Sequence, residues 1–414
     1  MMEKNFFKGL ITGIVIMFAV GLIYIGADQF LTSNNLRNND KNENLVEEAE
    51  INDKISKIVN YLNVLYYEDL DLDEEDLIEY AYEGIVSSIG DPYTEYFTEK
   101  ELESFMEESE GIYSGIGAYV SFDEKTEEFV LIPFVGSPSE QAGVKPGDVL
   151  LEVDGEEIHN KTLEGAVDLV KGDEGTKVVL TVYRESKDED SLDTEKEILE
   201  IDVIRGKIEV PTIAHEMLEE KIGYIAINQF EEVTVDQFKN ALTELENQGQ
   251  KGLIIDVRNN PGGLLSVVKD IADELLPEGI IVYTEDKYGN REELLSNDDA
   301  NFTKPLVILI NDYSASASEI LAGAIKDHGI GTLVGTTTYG KGLVQSLVEL
   351  GDGSAIKLTI SKYFTPNGEY IHGKGIAPDV EVVLPDELKY SYNIEKEEDV
   401  QLEKAIEIIN EETK

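Results

Sequence analysis

Ser316 sits in the run Ser314-Ala315-Ser316-Ala317-Ser318-Glu319, and Gly340-Lys341-Gly342-Leu343-Val344-Gln345 follows, so that Lys341 lies 25 positions after Ser316. A serine hydroxyl is a weak nucleophile at neutral pH and needs a base beside it. Histidine is the usual base, but a lysine can replace it when burial or a neighbour lowers its pKa enough to leave the amine neutral. Lys341 has Tyr339, Gly340, Gly342 and Leu343 around it and no carboxylate close in sequence, which suits a neutral amine. Taken alone, it reads better as an exposed loop lysine, and Ser314 and Ser318 are chemically possible nucleophiles beside Ser316. The four histidines, His159, His215, His328 and His372, lie in no triad motif, and neither HExxH nor GxSxG occurs. Ordinary Ser-His-Asp and zinc-protease chemistry is therefore disfavoured. The chain has no cysteine, which excludes disulfides, thiolate catalysis and cysteine-ligated metals, and no metal is expected.

These residues need elements to position them. Ser316 follows the apolar run at 306–310 and the turn Asn311-Asp312-Tyr313-Ser314, and is expected in the first turn of a helix over 315–326, with Ser314 as its cap. The free N–H groups at such a helix start stabilise a developing oxyanion. The segment Asp256-Val257-Arg258-Asn259-Asn260-Pro261-Gly262-Gly263 ends a buried strand and opens a helix, so its glycines expose backbone where a second N–H donor is wanted. Strands are expected at 222–227, 253–257, 306–310, 332–334 and 355–363, with helices at 234–245 and 264–275. Such alternation argues an α/β domain with crossover connections.

Upstream, residues 111–205 show short strands and turn signals. Tyr113-Ser114-Gly115-Ile116-Gly117-Ala118 opens a strand, and a run from Gly136 to Gly155 containing Ala142-Gly143-Val144-Lys145-Pro146-Gly147-Asp148 supplies a short helix, a turn and a strand. Glycines at 115 and 117 let successive backbone N–H groups converge into a nest able to bind a terminal carboxylate. The whole segment resembles a PDZ domain, which implies Gly115, Ile116 and Gly117 as peptide-binding residues. The charged stretch at 185–196 reads as a solvated hairpin tip.

SASASE, GKGLVQ, the segment Gly90-Asp91-Pro92-Tyr93-Thr94-Glu95-Tyr96-Phe97 and the closing Gly373-Lys374-Gly375-Ile376-Ala377-Pro378-Asp379 together resemble the carboxyl-terminal processing peptidases, over about residues 51–385. That resemblance implies a multidomain α/β fold: a PDZ domain and a Clp protease/crotonase-like catalytic core, preceded by a helical segment. It implies Ser316 as nucleophile, Lys341 as general base and Gln345 as the group orienting the lysine. It also implies the backbone N–H groups of Gly262 and Ala317 as the oxyanion hole, and no cofactor. One departure is Lys171 before Gly172, where relatives often carry arginine, so a bidentate arginine contact does not carry over.

The net charge is −52, and residues 1–30 contribute nothing to it, Lys4 and Lys8 offsetting Glu3 and Asp28. A surface this negative repels phosphate backbones, so nucleic-acid binding is disfavoured. Residues 9–27 carry no charge and follow Lys4 and Lys8. Their length suits a transmembrane helix that leaves the short N-terminus in the cytoplasm and the rest outside; a cleaved signal peptide is the rival. The expected organisation is 1–31 N-terminus and anchor, 32–50 linker, 51–106 helical segment packed as a hairpin, 107–205 PDZ domain, 206–385 peptidase core and 386–414 acidic tail. The expected function is a membrane-anchored serine endopeptidase acting on exported or partly unfolded proteins recognised by their C-termini. Its partners are substrates with free C-termini and the cell membrane, with a homo-oligomer left open. The alternatives are a catalytically silent PDZ adaptor at the cell surface and an acyl-CoA-type hydratase or isomerase.

Overall fold

The computed structural model describes residues 54–62, 64–65, 74–123, 125–187, 194–297, 302–385, 387–389 and 394–414. The expected transmembrane helix at 9–27 lies outside these residues. That assignment is corrected: no helix among the described residues is long and apolar enough to cross a membrane. A span needs about 20 apolar residues, whereas the longest helices with given bounds run 14. Residues 54–62, 64–65 and α1 (Glu74–Ser87) are helical, as their apolar spacing predicts, yet Ile58, Leu62, Leu65, Tyr80 and Ile85 of that spacing are exposed.

From Val86 onward the chain forms one compact unit. After β1 (Glu95–Phe97), helix α2 (Glu99–Glu110) begins at a capping box in which Glu101 N–H donates to Thr98 Oγ1 at 3.3 Å and Thr98 N–H to Glu101 Oε2 at 2.9 Å. Gly111, at φ 71°, ends it in the left-handed conformation. Strand β2 (Ile112–Gly115) then leads into an antiparallel sheet of β3 (Ala118–Asp123), β4 (Glu128–Pro133), β5 (Asp148–Val153), β7 (Lys177–Lys187) and β8 (Thr194–Ile204), with the short β6 (Glu156–Glu157) on β5. Helices α3 (Pro138–Ala142) and α4 (Leu163–Val170) accompany it. Alternate residues of β7, Val178, Leu180 and Val182, are fully buried with Phe129, Leu131 and Val203, the period-2 pattern of a sheet with one covered face. Strand β9 (Gly206–Glu209) pairs antiparallel with β2, so this module's entry and exit strands are held together. The β7–β8 ladder runs out to Lys187 opposite Thr194, so both ends of the charged stretch are strand, and its residues 188–193 lie outside the described residues.

The second core is a six-stranded sheet in the order β10 (Ile213–Met217), β11 (Ile222–Ile227), β12 (Gly252–Asp256), β15 (Leu306–Ile310), β16 (Thr332–Gly335) and β19 (Val380–Glu381). All neighbours but β10 are parallel. Every residue of β12 and β15 is buried because both faces are covered. Leu253, Ile255, Ile308 and Ile310 pack with residues of α5 (Thr234–Asn247), α6 (Leu265–Asp273) and α7 (Ala317–His328). Ile254, Val307 and Leu309 pack on the other face with Leu402, Ala405 and Ile409 of α8 (Val400–Glu412). Each buried Leu or Ile contributes about 1.5–3 kcal/mol relative to exposure. The segment read from sequence as an acidic tail thus closes one face of the sheet. Asp399 starts α8 by accepting Gln401 N–H and Leu402 N–H, and these buried carboxylates, Asp399 and Asp256, together hold Arg258.

A smaller sheet lies beside the core: β1, β18 (Ala355–Phe364), β13 (Gly279–Asp286) and β14 (Arg291–Ser296), with β17 (Leu343–Glu349) paired to β18. It carries the segment after Lys341 and sets Gln345 opposite Thr359.

Candidate active site

The turn after β15 is pinned from three sides. Ser314 Oγ accepts Asn311 N–H at 3.0 Å and donates to Val257 O at 2.7 Å, while Ala315 N–H donates to Asn260 O at 3.0 Å. Ser314 therefore braces the turn and does not cap the helix. The residue before α7 is Ser316 itself, with φ 53° and ψ −113°. A non-glycine residue there is strained by about 1–3 kcal/mol and stays only where its surroundings over-determine it. Ser316 O accepts Glu319 N–H, Ile320 N–H and the Tyr363 hydroxyl, and Ser316 N–H donates to the Glu319 carboxylate at 3.0 Å. Ser318 is a helical residue whose Oγ donates to Asn260 O.

Lys341 lies in the loop between β16 and β17. Tyr339 N–H donates to Ser314 O at 3.0 Å, and Gly340 N–H and Lys341 N–H each donate to Glu319 at 2.8 Å. Gly340, at φ 89°, lets the loop pass against the segment 373–375, where a Cβ would stand 2.8 Å from Gly375 N. The Lys341 ammonium lies 4.6 Å from the centre of the Tyr93 ring. Burial pushes its pKa below the usual lysine value and the nearby Lys357 charge adds to that, against opposite pulls from Glu95, Asp91 and Glu319.

One cavity of about 500 Å³ is lined by Ser316, Ala317, Lys341, Gln345 and Tyr363. The fold thus brings together the three side chains singled out in the sequence. No hydrogen bond joins the Ser316 hydroxyl to Lys341 among the described residues, and Gln345 Nε2 donates to Thr359 Oγ1 at 3.2 Å. Ala317, as the first residue of its helix, has an N–H without an intrahelical acceptor. Gly262 abuts the nucleophile so closely that a Cβ on it would stand 2.8 Å from Ser316 Cβ. Its N–H, however, donates to Asn260 Oδ1 at 2.8 Å.

A second cavity of about 290 Å³ lies between β3 and α4, lined by Ile116, Tyr119, Phe134, Val167, Val170 and Lys171. Ile116 faces it. Gly115 ends β2 opposite Gly206, and Gly117 takes φ 72°, with room for no Cβ: one would meet Ser137 Cβ at 2.6 Å. Lys171 donates to Glu107 at 3.1 Å. Glu108 and Glu231 line both cavities. Glu231 is 8 % exposed, and its Oε2 has no hydrogen-bond partner among the described residues. Burial, with the Glu108 charge beside it, pushes its pKa up to about 7.

The sequence reading passed over Glu319, Tyr93, Lys357, Tyr363 and Glu231. Glu319 closes the serine motif and Tyr93 stands in the Gly-Asp-Pro-Tyr segment, so two of the five lay in runs already marked. Nothing local marked the others.

Three family models match the chain: peptidase family S41 over residues 221–382, a PDZ domain over 135–184, and the N-terminal domain of the activating protease CtpB over 10–101. The carboxy-terminal processing protease CtpA of Bacillus subtilis is 37% identical over 342 residues, covering 82% of this chain and 71% of that protein. A protein of Staphylococcus aureus (strain MSSA476), named as a CtpA-like serine protease, is 37% identical over 346 residues, 83% of this chain and 66% of its own. A solved structure of a Bacteroides fragilis protein assigned to the S41 proteases shares the fold, with TM-score 0.53 at 16% identity, covering 86% of this chain and 97% of that one. The chain belongs to peptidase family S41, as a PDZ-bearing, serine-type carboxy-terminal processing peptidase.

Proposed function

We propose that the chain is an endopeptidase in which Ser316 is the nucleophile and Lys341 the general base. The PDZ groove engages the C-termini of exported or partly unfolded proteins. The observation that carries this reading is the shared cavity: a serine held in strained backbone and a lysine whose pKa is lowered face the same space. The neutral Lys341 amine takes the Ser316 proton as Oγ bonds to the scissile carbonyl carbon, and the oxyanion meets the Ala317 N–H. Collapse breaks the C–N bond, and the Lys341 ammonium returns its proton to the leaving amine. Water, deprotonated by Lys341, then hydrolyses the acyl-enzyme. Hydrogen bonds of this kind are often long before substrate binds and shorten in the complex, which accommodates the resting Ser316–Lys341 and Gln345–Thr359 arrangements. Gly262 supplies a second oxyanion donor by exchanging Asn260 Oδ1 for the substrate oxygen. Gln345, four positions after Lys341 and on the same cavity, orients the amine.

A Clp protease/crotonase-like core is part of the proposal, supported by the parallel strands with helices on their faces and the glycine turn at 262–263. So is work outside the cytoplasm. An uncharged run at 9–27 behind Lys4 and Lys8 supports export of the following chain, as a signal sequence would give. The test is cleavage of an unfolded protein by the wild type, Ser316→Ala and Lys341→Ala. Loss of turnover in both variants is expected; wild-type turnover by Lys341→Ala would assign the base elsewhere.

A further inference from the structure

We propose that Glu319 is a positioning residue whose buried carboxylate clamps the backbone of the nucleophile to the backbone of the lysine loop and thereby sets the Ser316–Lys341 separation. The proposal rests on the Ser/Lys reading above. Glu319 is fully buried in the first turn of α7. Its Oε2 accepts Ser316 N–H at 3.0 Å and Lys341 N–H at 2.8 Å; its Oε1 accepts Gly340 N–H at 2.8 Å and the Thr338 hydroxyl at 2.5 Å. Because one oxygen atom holds both backbone nitrogens, Ser316 N and Lys341 N lie no farther apart than about 6 Å. No covalent or strand contact links these two residues, which belong to a helix start and to a loop 25 positions on. The carboxylate is their direct tie.

The chemistry of the donors explains why this residue is an acid. A carboxylate offers about four acceptor sites and no donor, and four donors meet it. Thr338 Oγ1 accepts Ile376 N–H at 2.7 Å, so its own proton is free for Glu319. A glutamine of the same shape would turn an amide NH₂ towards donors and leave at least one pair facing each other. The clamp also carries an electrostatic cost, because the Glu319 charge favours the protonated form of Lys341. Burial and Lys357 act against it. Position and charge therefore oppose one another, and that opposition separates this role from plain structural support.

The experiment measures kcat and KM of the full chain on an unfolded protein from pH 6 to 10 for the wild type, Glu319→Gln, Thr338→Val, Thr338→Ser and Lys341→Ala, with thermal unfolding of each. Misplacing reacting groups by 1 Å costs about 100-fold. Glu319→Gln should thus lose about that factor in kcat with KM little changed, while its acid limb moves to lower pH because the charge is gone. Thr338→Val should lose part of kcat and Thr338→Ser recover it. Wild-type kcat in Glu319→Gln overturns the proposal, and so does a kcat loss that follows the unfolding temperature with the acid limb unmoved. If Glu319→Gln does not fold, the Thr338 pair decides: wild-type kcat in Thr338→Val overturns the clamp. An active Lys341→Ala would instead sink the Ser/Lys reading. An inactive Lys341→Ala beside a fully active Glu319→Gln rejects the clamp alone.

Discussion

Replacing Glu231 by glutamine should make the protein more stable above neutral pH and leave it little changed in acid. The carboxyl lies against Gly111, where a Cβ would stand 2.4 Å from Oε2, with that oxygen lacking a partner among the described residues. Glu108 adds a like charge, and the pKa rises from its ordinary 4.5 to about 7. The sign follows from linkage. An acid whose folded pKa is raised binds more protons folded than unfolded between those two values, so stability falls as pH rises through roughly 4.5 to 7 and stays low above. At about 1.36 kcal/mol per pKa unit, the loss is about 3 kcal/mol as an upper figure. The unfolded chain, at net charge −52, also raises its carboxyl pKa values, which brings the realised effect nearer about 2 kcal/mol. The assay is urea unfolding of wild type and Glu231→Gln at pH 5 and pH 8.5. All other titrating groups are common to both proteins, so the difference between them isolates Glu231. The variant should gain about 2 kcal/mol on going from the lower to the higher pH. A difference that is the same at both pH values would refute the reasoning.

Proteolysis should rise with pH through an acid limb below the ordinary lysine value of 10.5, since the base must be neutral. Lys357→Met should move that limb to higher pH by removing a neighbouring cation and freeing Glu95; a limb that stays put removes Lys357 from the account. Arg258→Gln leaves Asp256 and Asp399 buried without their cation and should cost about 3–5 kcal/mol in urea unfolding; a loss under about 1 kcal/mol would show that the carboxylates find other partners. Val167→Asp in the wall of the PDZ groove should weaken binding of free-acid peptides ending in apolar residues, and amidation should weaken binding to the wild type, while Ser316 still reacts with a small active-site probe. Equal binding of acid and amide by both proteins would remove the groove from C-terminal recognition. Gly117→Val is unsuited to this test, because its side chain would strike Ser137 and Ile208.

Much of the scaffold is legible in the residues themselves. Runs such as Leu306–Ile310 are apolar throughout because a parallel strand covered on both faces has no polar side. The β7 residues Val178, Leu180 and Val182 alternate because their sheet has one. Leu402, Ala405 and Ile409 carry a helical stripe within the segment read as an acidic tail; what that stripe packs on is not local information.

The site divides along the same line. Chain order and residue type sufficed to mark Ser316, Lys341 and Gln345, since a nucleophile and its base must be particular side chains on particular turns. Sequence neighbours said that Lys341 has no carboxylate beside it; the fold places Asp91, Glu95 and Glu319 around it and sets Lys357 and burial against them. The same holds for Gly262, whose N–H looked free until the fold turned Asn260 Oδ1 to meet it, and for the serine motif, where the fold moves the helix start from Ser314 to Ser316. By itself the sequence determined which atoms can react, because chemical identity is local. Only the tertiary structure decided how they are charged, strained and clamped, because fields, burial and hydrogen bonds act between residues distant in the chain.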